Sequence, residues 1–216
     1  NSPALNITYT PRSFQVYANE FPQSRYAFVG ASIDGRRHEP FEPPEGSGSL
    51  VYISLGTELN KSERFFRRCL EAFGSTGMRV VMAIGDSVRP ESLGPVPPTM
   101  MVRRRVPQLE VLSRASLFIT HGGMNSVNEA LFYGVPMLVV PVGNDQPTVA
   151  RRVEELGLGE ALDIREATPD VLREAAMRVL SDRECHARLS EFRQETRNAG
   201  GNAQAVKLII RQLDRA

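Results

Sequence analysis

From residue 50 onward, short apolar runs alternate with stretches of helical hydrophobic spacing, and no other feature of the sequence constrains the fold as much. The apolar runs predict strands and the stretches between them predict helices, with glycines such as Gly56 and Gly85 closing the first two strands. Strands are predicted at residues 50–55, 79–84, 100–102, 116–120, 137–140 and 161–164, and helices at 62–73, 107–113, 125–133, 146–156, 169–180, 183–198 and 203–213. This alternation predicts an α/β, Rossmann-like doubly wound parallel sheet with helices on both faces.

The first 48 residues have a different composition. Prolines interrupt them repeatedly and they end in a Gly-Ser-Gly-Ser run, which is typical of a linker and not of a core. Two apolar pieces, residues 5–9 and 26–29, are predicted as strands at the edge of something larger. The opening Asn1-Ser2-Pro3 favours a piece cut from a longer protein. We therefore expect residues 1–48 to be an interdomain linker with a remnant of a preceding domain, and residues 49–216 to be one Rossmann-like domain.

Composition excludes several classes of partner. Apolar residues make up 41%, charged residues 24%, and the formal net charge is +1, so neither a nucleic-acid surface nor an acidic tail is indicated. No apolar run approaches the length of a membrane span. Cys69 and Cys185 stand far apart, outside any Cys-x-x-Cys or Cys/His cluster, which predicts two reduced thiols in a cytoplasmic protein and no metal site.

The stretch from residue 118 to 129, Phe-Ile-Thr-His-Gly-Gly-Met-Asn-Ser-Val-Asn-Glu, is the most informative. In doubly wound sheets ligands bind beyond the carboxyl ends of the strands, where this stretch passes from strand to helix. Glycines let a ligand approach the backbone, and the helix start, with Asn125 and Ser126 in its first turn, suits a phosphate that His121 could also reach. Taken alone, an ordinary capped strand–helix turn explains the same residues better.

Other parts of the sequence also have an ordinary structural explanation beside the functional one. Glu129 falls on the helix face of Asn125 and Ser126 and would accept bonds from a ribose diol, although a capping or solvated glutamate is an equal reading. Asp145 and Gln146 follow the next strand and suit sugar hydroxyls, although an N-cap aspartate with a polar neighbour is the more ordinary explanation. Two further turns follow strands, Arg-Val-Pro-Gln at residues 105–108 and Ser-Leu-Gly-Thr at residues 54–57.

These pieces, in this order, resemble the C-terminal domain of family 1 glycosyltransferases with the GT-B fold, above all the bacterial macrolide-type and antibiotic-type UDP-glycosyltransferases. The resemblance extends from residues 9–15 through 28–30 to 200–201, and it implies a UDP-sugar or dTDP-sugar as donor substrate, with no cofactor or metal. It implies a diphosphate site (Thr57, His121, Gly123, Asn125 and Ser126), a base and ribose site (Arg105, Val106, Gln108 and Glu129) and a sugar site (Asp145 and Gln146).

One departure from the family pattern bears on the base. Where the family usually has an aromatic residue, typically Trp, this chain has Arg105, and it has no Trp at all, so the choice between UDP and dTDP stays open. The resemblance further implies an inverting, metal-independent transfer to a small-molecule hydroxyl. It places the acceptor pocket and the catalytic His–Asp pair in an N-terminal domain, so no catalytic residue is expected in this chain and the isolated chain is expected to be inactive.

Two other functions compete with this hypothesis. A natural stand-alone donor-binding subunit would need a separate acceptor-binding partner, and a Rossmann-like binding module without transfer would not need the sugar-reading pair Asp145 and Gln146. A nicotinamide dehydrogenase is disfavoured, because no Gly-x-Gly-x-x-Gly follows the first strand. The last predicted helix has Val206, Ile209 and Ile210 on one side. The resemblance implies that this helix crosses back to the N-terminal domain, so in the isolated chain its apolar side would be exposed. We therefore expect the isolated chain to self-associate.

Overall fold

The computed structural model describes residues 5–33, 39–56 and 62–214. Apart from the strand near residue 160, every predicted helix and strand begins and ends within two residues of the observed one. The described residues form eight strands, β1 (Asn6–Thr8), β2 (Tyr26–Phe28), β3 (Leu50–Ser54), β4 (Arg79–Ala83), β5 (Met100–Arg103), β6 (Leu117–Thr120), β7 (Met137–Val139) and β8 (Gly159–Ala161). They also form seven α-helices, α1 (Glu63–Phe73), α2 (Gln108–Leu112), α3 (Met124–Tyr133), α4 (Gln146–Glu155), α5 (Pro169–Ser181), α6 (Arg183–Asn198) and α7 (Gly201–Leu213).

Six strands form one parallel sheet in the order β5-β4-β3-β6-β7-β8. The sheet grows outward from β3 in one direction through β4 and β5, and then restarts beside β3 with β6 and grows the other way. This reversal leaves a crevice beyond the carboxyl ends of β3 and β6, where doubly wound folds bind their ligands. The predicted α/β fold is confirmed, and the sheet order places the loops after Ser54 and Thr120 side by side.

Both faces of the sheet are covered, because successive residues of a buried strand point to opposite sides. Val51 and Ile53 of β3 belong to an apolar cluster with α1 and α5, whereas Leu50 and Tyr52 belong to a second cluster with α3, α4 and α6. Cys69 and Cys185 are free and buried, and burial raises the pKa of both thiols, that of Cys185 to about 11. The core therefore holds the sheet rigid under the loops at its carboxyl edge.

The last strand lies earlier than predicted, and the predicted strand at residues 161–164 is wrong. Met137 of β7 pairs with Gly159 and Val139 with Ala161, so the ladder ends where the predicted strand begins. A side-chain carbon on Gly159 would lie 1.8 Å from the carbonyl oxygen of Met137, so this close pairing depends on glycine. Leu162 and Ile164 pack on the core beyond the end of the strand. Their hydrophobicity therefore indicated burial of the two side chains, and not strand pairing.

The first segment also differs from expectation. Its two predicted strands are confirmed, and β1 and β2 pair in parallel as a separate two-stranded sheet. The prediction that this segment contributes nothing to a core is wrong, because Phe14 and Phe41 are buried in the cluster that covers one sheet face. Arg152 of α4 fixes the segment further by donating to the carbonyl oxygens of Ser13 and Phe14, each at 3.0 Å. The boundary between residues 48 and 49 stays a prediction.

Candidate functional site

A cleft of about 430 Å³ opens at the carboxyl edge of the sheet, between the ends of β3, β4 and β6 and the start of α3. Residues predicted from two separate stretches of sequence line it together. They are Arg105, Val106 and Gln108 from the approach to α2, and His121, Gly123, Asn125 and Ser126 from the loop between β6 and α3. The parallel sheet explains this meeting, because the loops after β5 and β6 leave the sheet at the same carboxyl edge, on either side of β4 and β3.

The first turn of α3 faces this cleft. Gly123 is the N-cap residue, with an extended backbone (φ −63°, ψ 134°), and as a glycine it brings no side chain over the helix end. The first N–H that the helix uses internally is that of Val127, which donates to the carbonyl oxygen of Gly123 at 3.0 Å. The N–H groups before it and the positive end of the helix dipole favour an anion, and a phosphate group satisfies both.

The imidazole of His121 is held between two glycines. A side-chain carbon on Gly123 would lie 2.6 Å from Nε2 of His121, and one on Gly56 would lie 2.8 Å from both Nε2 and Cε1. Real carbon contacts are about 3.5–4.0 Å, so neither position accepts alanine while the ring stays where it is. The two glycines, one after β3 and one before α3, therefore leave a slot of one ring's thickness at the strand ends.

The surroundings of His121 favour its neutral form. Burial lowers the pKa of His121, and the backbone of Ser54 and the negative charge of Asp145 partly oppose this by raising it. Nδ1 is buried and has no hydrogen-bond partner within the described part of the chain. A neutral imidazole with one N–H can donate a single hydrogen bond to an anionic oxygen in the cleft.

Below the cleft, a chain of hydrogen bonds joins strand β3 to helices α2 and α3. The Tyr52 hydroxyl donates to Oε1 of Gln108 at 2.9 Å, and Nε2 of Gln108 donates to Oε2 of Glu129 and to Oγ of Ser126, the latter at 3.3 Å. Glu129 is 3% exposed, so Gln108 lies between the carboxylate and the open cleft. The family resemblance implied one base and ribose site for Gln108 and Glu129, and the structure brings these two side chains into contact.

An ion pair borders the cleft on the side of β4. Arg105 and Asp86 contact each other at 2.6 Å, with 79% and 60% of their side chains exposed. Such an exposed pair adds little to stability, but it holds a planar guanidinium at the rim where a base could stack. Val106 beside it is partly buried against the core.

The predicted sugar-binding pair does not line this cleft, although the charge of Asp145 acts on His121 at its edge. The side chain of Gln146 is buried, and its Oε1 accepts from the backbone N–H groups of Val142 and Gly143 at 2.8 and 3.1 Å, so this end of the amide fixes its own loop. Asp145 is exposed at the start of α4, where its side chain makes no capping bond to the helix. A sugar-binding role for both stays a prediction, and Thr57 lies outside the described residues.

Sequence reasoning missed several residues of the cleft, among them Asp86 and Tyr52. Asp86 follows the glycine that closes β4, and the expectation that ligands lie beyond strand ends could have found it. Tyr52 lies inside β3 among apolar residues, and no sequence signal distinguished it from a core aromatic. Within residues 5–33, 39–56 and 62–214, no cluster of three His, Cys, Asp or Glu side chains could hold a metal, and no helix is long and apolar enough to cross a membrane.

With this geometry described, comparison with known proteins identifies the family. Residues 67–210 match the model of the family described as Erythromycin biosynthesis protein CIII-like, C-terminal domain. The chain belongs to this family. The resemblance to family 1 glycosyltransferases is confirmed by a curated relative, the NDP-glycosyltransferase YjiC of Bacillus licheniformis, which is 43% identical over 208 residues, covering 95% of this chain and 52% of the relative.

Two further relatives are also named as glycosyltransferases. The oleandomycin glycosyltransferase of Streptomyces antibioticus is 36% identical, over 98% of this chain and 50% of its own length. Among solved structures, the calicheamicin glycosyltransferase CalG4 superimposes with a TM-score of 0.91 at 35% identity, covering 98% of this chain and 54% of that protein. This EryCIII-like domain thus spans about half the length of the curated relatives it matches.

Proposed function

We propose that this chain is the donor-binding half of an inverting glycosyltransferase, which transfers a sugar from a UDP-sugar or dTDP-sugar to a hydroxyl group of a small-molecule natural product. The observation that supports this most is the convergence, in one cleft, of the start of α3, the neutral imidazole of His121 and the Gln108–Glu129 pair. The first two suit a diphosphate and the third suits a ribose.

The chemistry of transfer follows from where charge develops. When an acceptor oxygen displaces the nucleoside diphosphate, negative charge builds on the leaving phosphate oxygens. N–H groups in the first turn of α3, the helix dipole and the N–H of His121 are oriented before the reaction and would stabilise that charge without reorganising. A metal ion is not needed for this stabilisation in the proposed mechanism. Asp145 and Gln146 would bind hydroxyls of the donor sugar.

The acceptor side of the reaction is proposed from the relatives. The chain spans about half of their length, and the oleandomycin glycosyltransferase and the demethyllactenocin mycarosyltransferase of Streptomyces fradiae are named for antibiotic acceptors or products. We infer that a companion half supplies the acceptor pocket and the base that deprotonates the acceptor hydroxyl. A chimera of this chain with the N-terminal half of the Bacillus licheniformis relative should then release UDP from a UDP-sugar only when a hydroxylated acceptor is present.

Isothermal titration calorimetry tests the donor half directly. The chain should bind UDP or dTDP with and without EDTA, and ADP more weakly. Removing the imidazole in His121→Ala should weaken binding by about 10–150-fold, since a hydrogen bond to a charged group contributes about 1.5–3 kcal/mol. His186→Ala is the matched control, because His186 lies exposed on α6, outside the cleft, and its ring contacts the carbonyl oxygen of Leu180. Binding that disappears with EDTA, or that is insensitive to His121→Ala, contradicts the proposal.

A further inference from the structure

Tyr52 is an unusual residue for the middle of a buried parallel strand. It is 1% exposed, and its ring stacks on that of Phe118 in the neighbouring strand β6, with centroids 4.7 Å apart and planes 5° apart. Packing alone would be satisfied by phenylalanine, since burying a hydroxyl group costs free energy unless it is hydrogen-bonded. The hydroxyl has such a partner, Oε1 of Gln108, which lies on the wall of the cleft.

The direction of each hydrogen bond in this chain follows from the chemistry of its end. The Glu129 carboxylate only accepts, so Gln108 must turn its NH₂ group toward Glu129 and Ser126. The amide oxygen then faces Tyr52, whose hydroxyl must donate. Burial raises the pKa of Tyr52, the charge of Glu129 raises it further, and a hydrogen bond with Ser54 opposes this only in part, so the donor proton stays in place.

Glu129 and Ser126 hold the NH₂ group of Gln108, and the Tyr52 hydroxyl holds its amide oxygen. Gln108 is the first residue of α2, a helix of five residues, and its side chain is only partly buried. Ordering a glutamine side chain costs about 1.5–2 kcal/mol of rotamer entropy. The hydrogen bond from Tyr52 offsets part of this cost. Tyr52 itself is held firmly in place, because β3 pairs with a neighbouring strand on each side. The remaining lone pair of the amide oxygen then points to a ligand that donates, as a sugar hydroxyl does.

We propose that Tyr52 is a positioning residue for ribose binding: from beneath the cleft, its hydroxyl fixes the amide of Gln108, so that the amide oxygen faces the ribose hydroxyls as an acceptor while Glu129 anchors the NH₂ group from behind. This inference rests on the proposed function of the cleft. It predicts that the Tyr52 hydroxyl matters for the ribose part of a nucleotide and not for the diphosphate part.

The substitution Tyr52→Phe removes only the hydroxyl and keeps the stacked ring. Calorimetry would compare the affinity of the chain for UDP with that for a dideoxy analogue of UDP, which lacks both ribose hydroxyls. Tyr52→Phe should weaken UDP binding about fivefold, the equivalent of one hydrogen bond of about 1 kcal/mol, and should change binding of the analogue less than about twofold. In a Gln108→Ala background, Tyr52→Phe should have no further effect on UDP. Tyr26→Phe, a tyrosine of β2 away from the cleft, is the matched control.

A second measurement needs no ligand. In the amide NMR spectrum of the free chain, the side-chain NH₂ pair of Gln108, assigned by its disappearance in Gln108→Ala, should show two separate and ordered resonances. Tyr52→Phe should shift and mobilise them, and Tyr26→Phe should not. An unchanged Gln108 pair, or an equal loss of affinity for UDP and the analogue, overturns the positioning role alone. Failure of the unsubstituted chain to bind UDP or dTDP overturns the proposed function instead.

Discussion

The slot around His121 yields a sharp prediction about Gly123. Its backbone, with φ −63° and ψ 134°, is ordinary for any residue, so Gly123→Ala causes no backbone strain. The added methyl carbon would, however, lie 2.6 Å from Nε2 and 3.0 Å from Cε1 of His121. Ordinary carbon contacts begin near 3.5 Å, so the ring must move by about 1 Å. It cannot move toward Gly56, which approaches the ring from the other loop.

This displacement should affect both stability and ligand binding. Forcing a carbon into a packed site costs about 1–3 kcal/mol, and each kcal/mol lowers the melting temperature of a domain of this size by about 2–4 °C. Because the ring leaves its place, Gly123→Ala should also lose the hydrogen bond to the diphosphate and weaken UDP binding about as much as His121→Ala does. Thermal unfolding and calorimetry measure the two effects separately.

Two controls decide whether the ring causes the effect. Gly143→Ala adds the same methyl group where no atom lies within 4 Å, so stability and binding should stay unchanged. In the double variant Gly123→Ala/His121→Ala the obstructing ring is gone, and the melting temperature should recover to that of His121→Ala alone. If Gly123→Ala is as stable as the unsubstituted chain and binds UDP as tightly, the slot does not constrain His121 and the reasoning fails.

Three further predictions concern stability alone, measured by urea unfolding. Gly159→Ala should cost more than about 3 kcal/mol, because its methyl group would collide with the backbone of Met137. Gly143→Ala, with open space around it, should cost less than about 0.5 kcal/mol; equal costs would contradict this. Ser62→Ala should cost about 1 kcal/mol, because Ser62 accepts from the backbone of Phe65 at the start of α1; no loss would show that the cap is unimportant. Burial lowers the pKa of His121, so the unfolded chain binds a proton at a higher pH than the folded chain does, and the free energy of unfolding should fall as the pH drops below about 6.5. The His121→Ala variant should lose less stability over that pH range, and an identical pH profile for both proteins would refute the lowered pKa of His121.

The sequence specified most of the fold because its strands are buried on both faces and its helices are amphipathic. Those patterns are direct consequences of burial, so each element could be located to within about two residues. β8 shows the limit of this reasoning: its strand is Gly-Glu-Ala, and the apolar residues that follow it pack without pairing. Phe14 and Phe41 show a second limit, because isolated aromatics among prolines carry no period that predicts burial.

The candidate site was predictable where glycines and polar residues follow strands, since the edge of a parallel sheet brings such loops together. His121, Asn125, Ser126 and Gln108 were found in this way. The role of Tyr52 could not be predicted, because it depends on a contact between residues 56 positions apart in the sequence. Only the packing of α2 against β3 shows that the Tyr52 hydroxyl donates its hydrogen bond to Gln108.

The location of the nucleotide is the most direct test of the central claim. Amide NMR spectra of the labelled chain, recorded while UDP is added, report which backbone N–H groups the ligand approaches. We predict that the largest shifts fall on residues 122–126 and on Gln108, around the start of α3, and that they are lost in His121→Ala. Shifts centred elsewhere, such as on Thr10 and Thr148 in the adjoining pocket between the first segment and α4, or no shifts with either UDP or dTDP, would contradict the account.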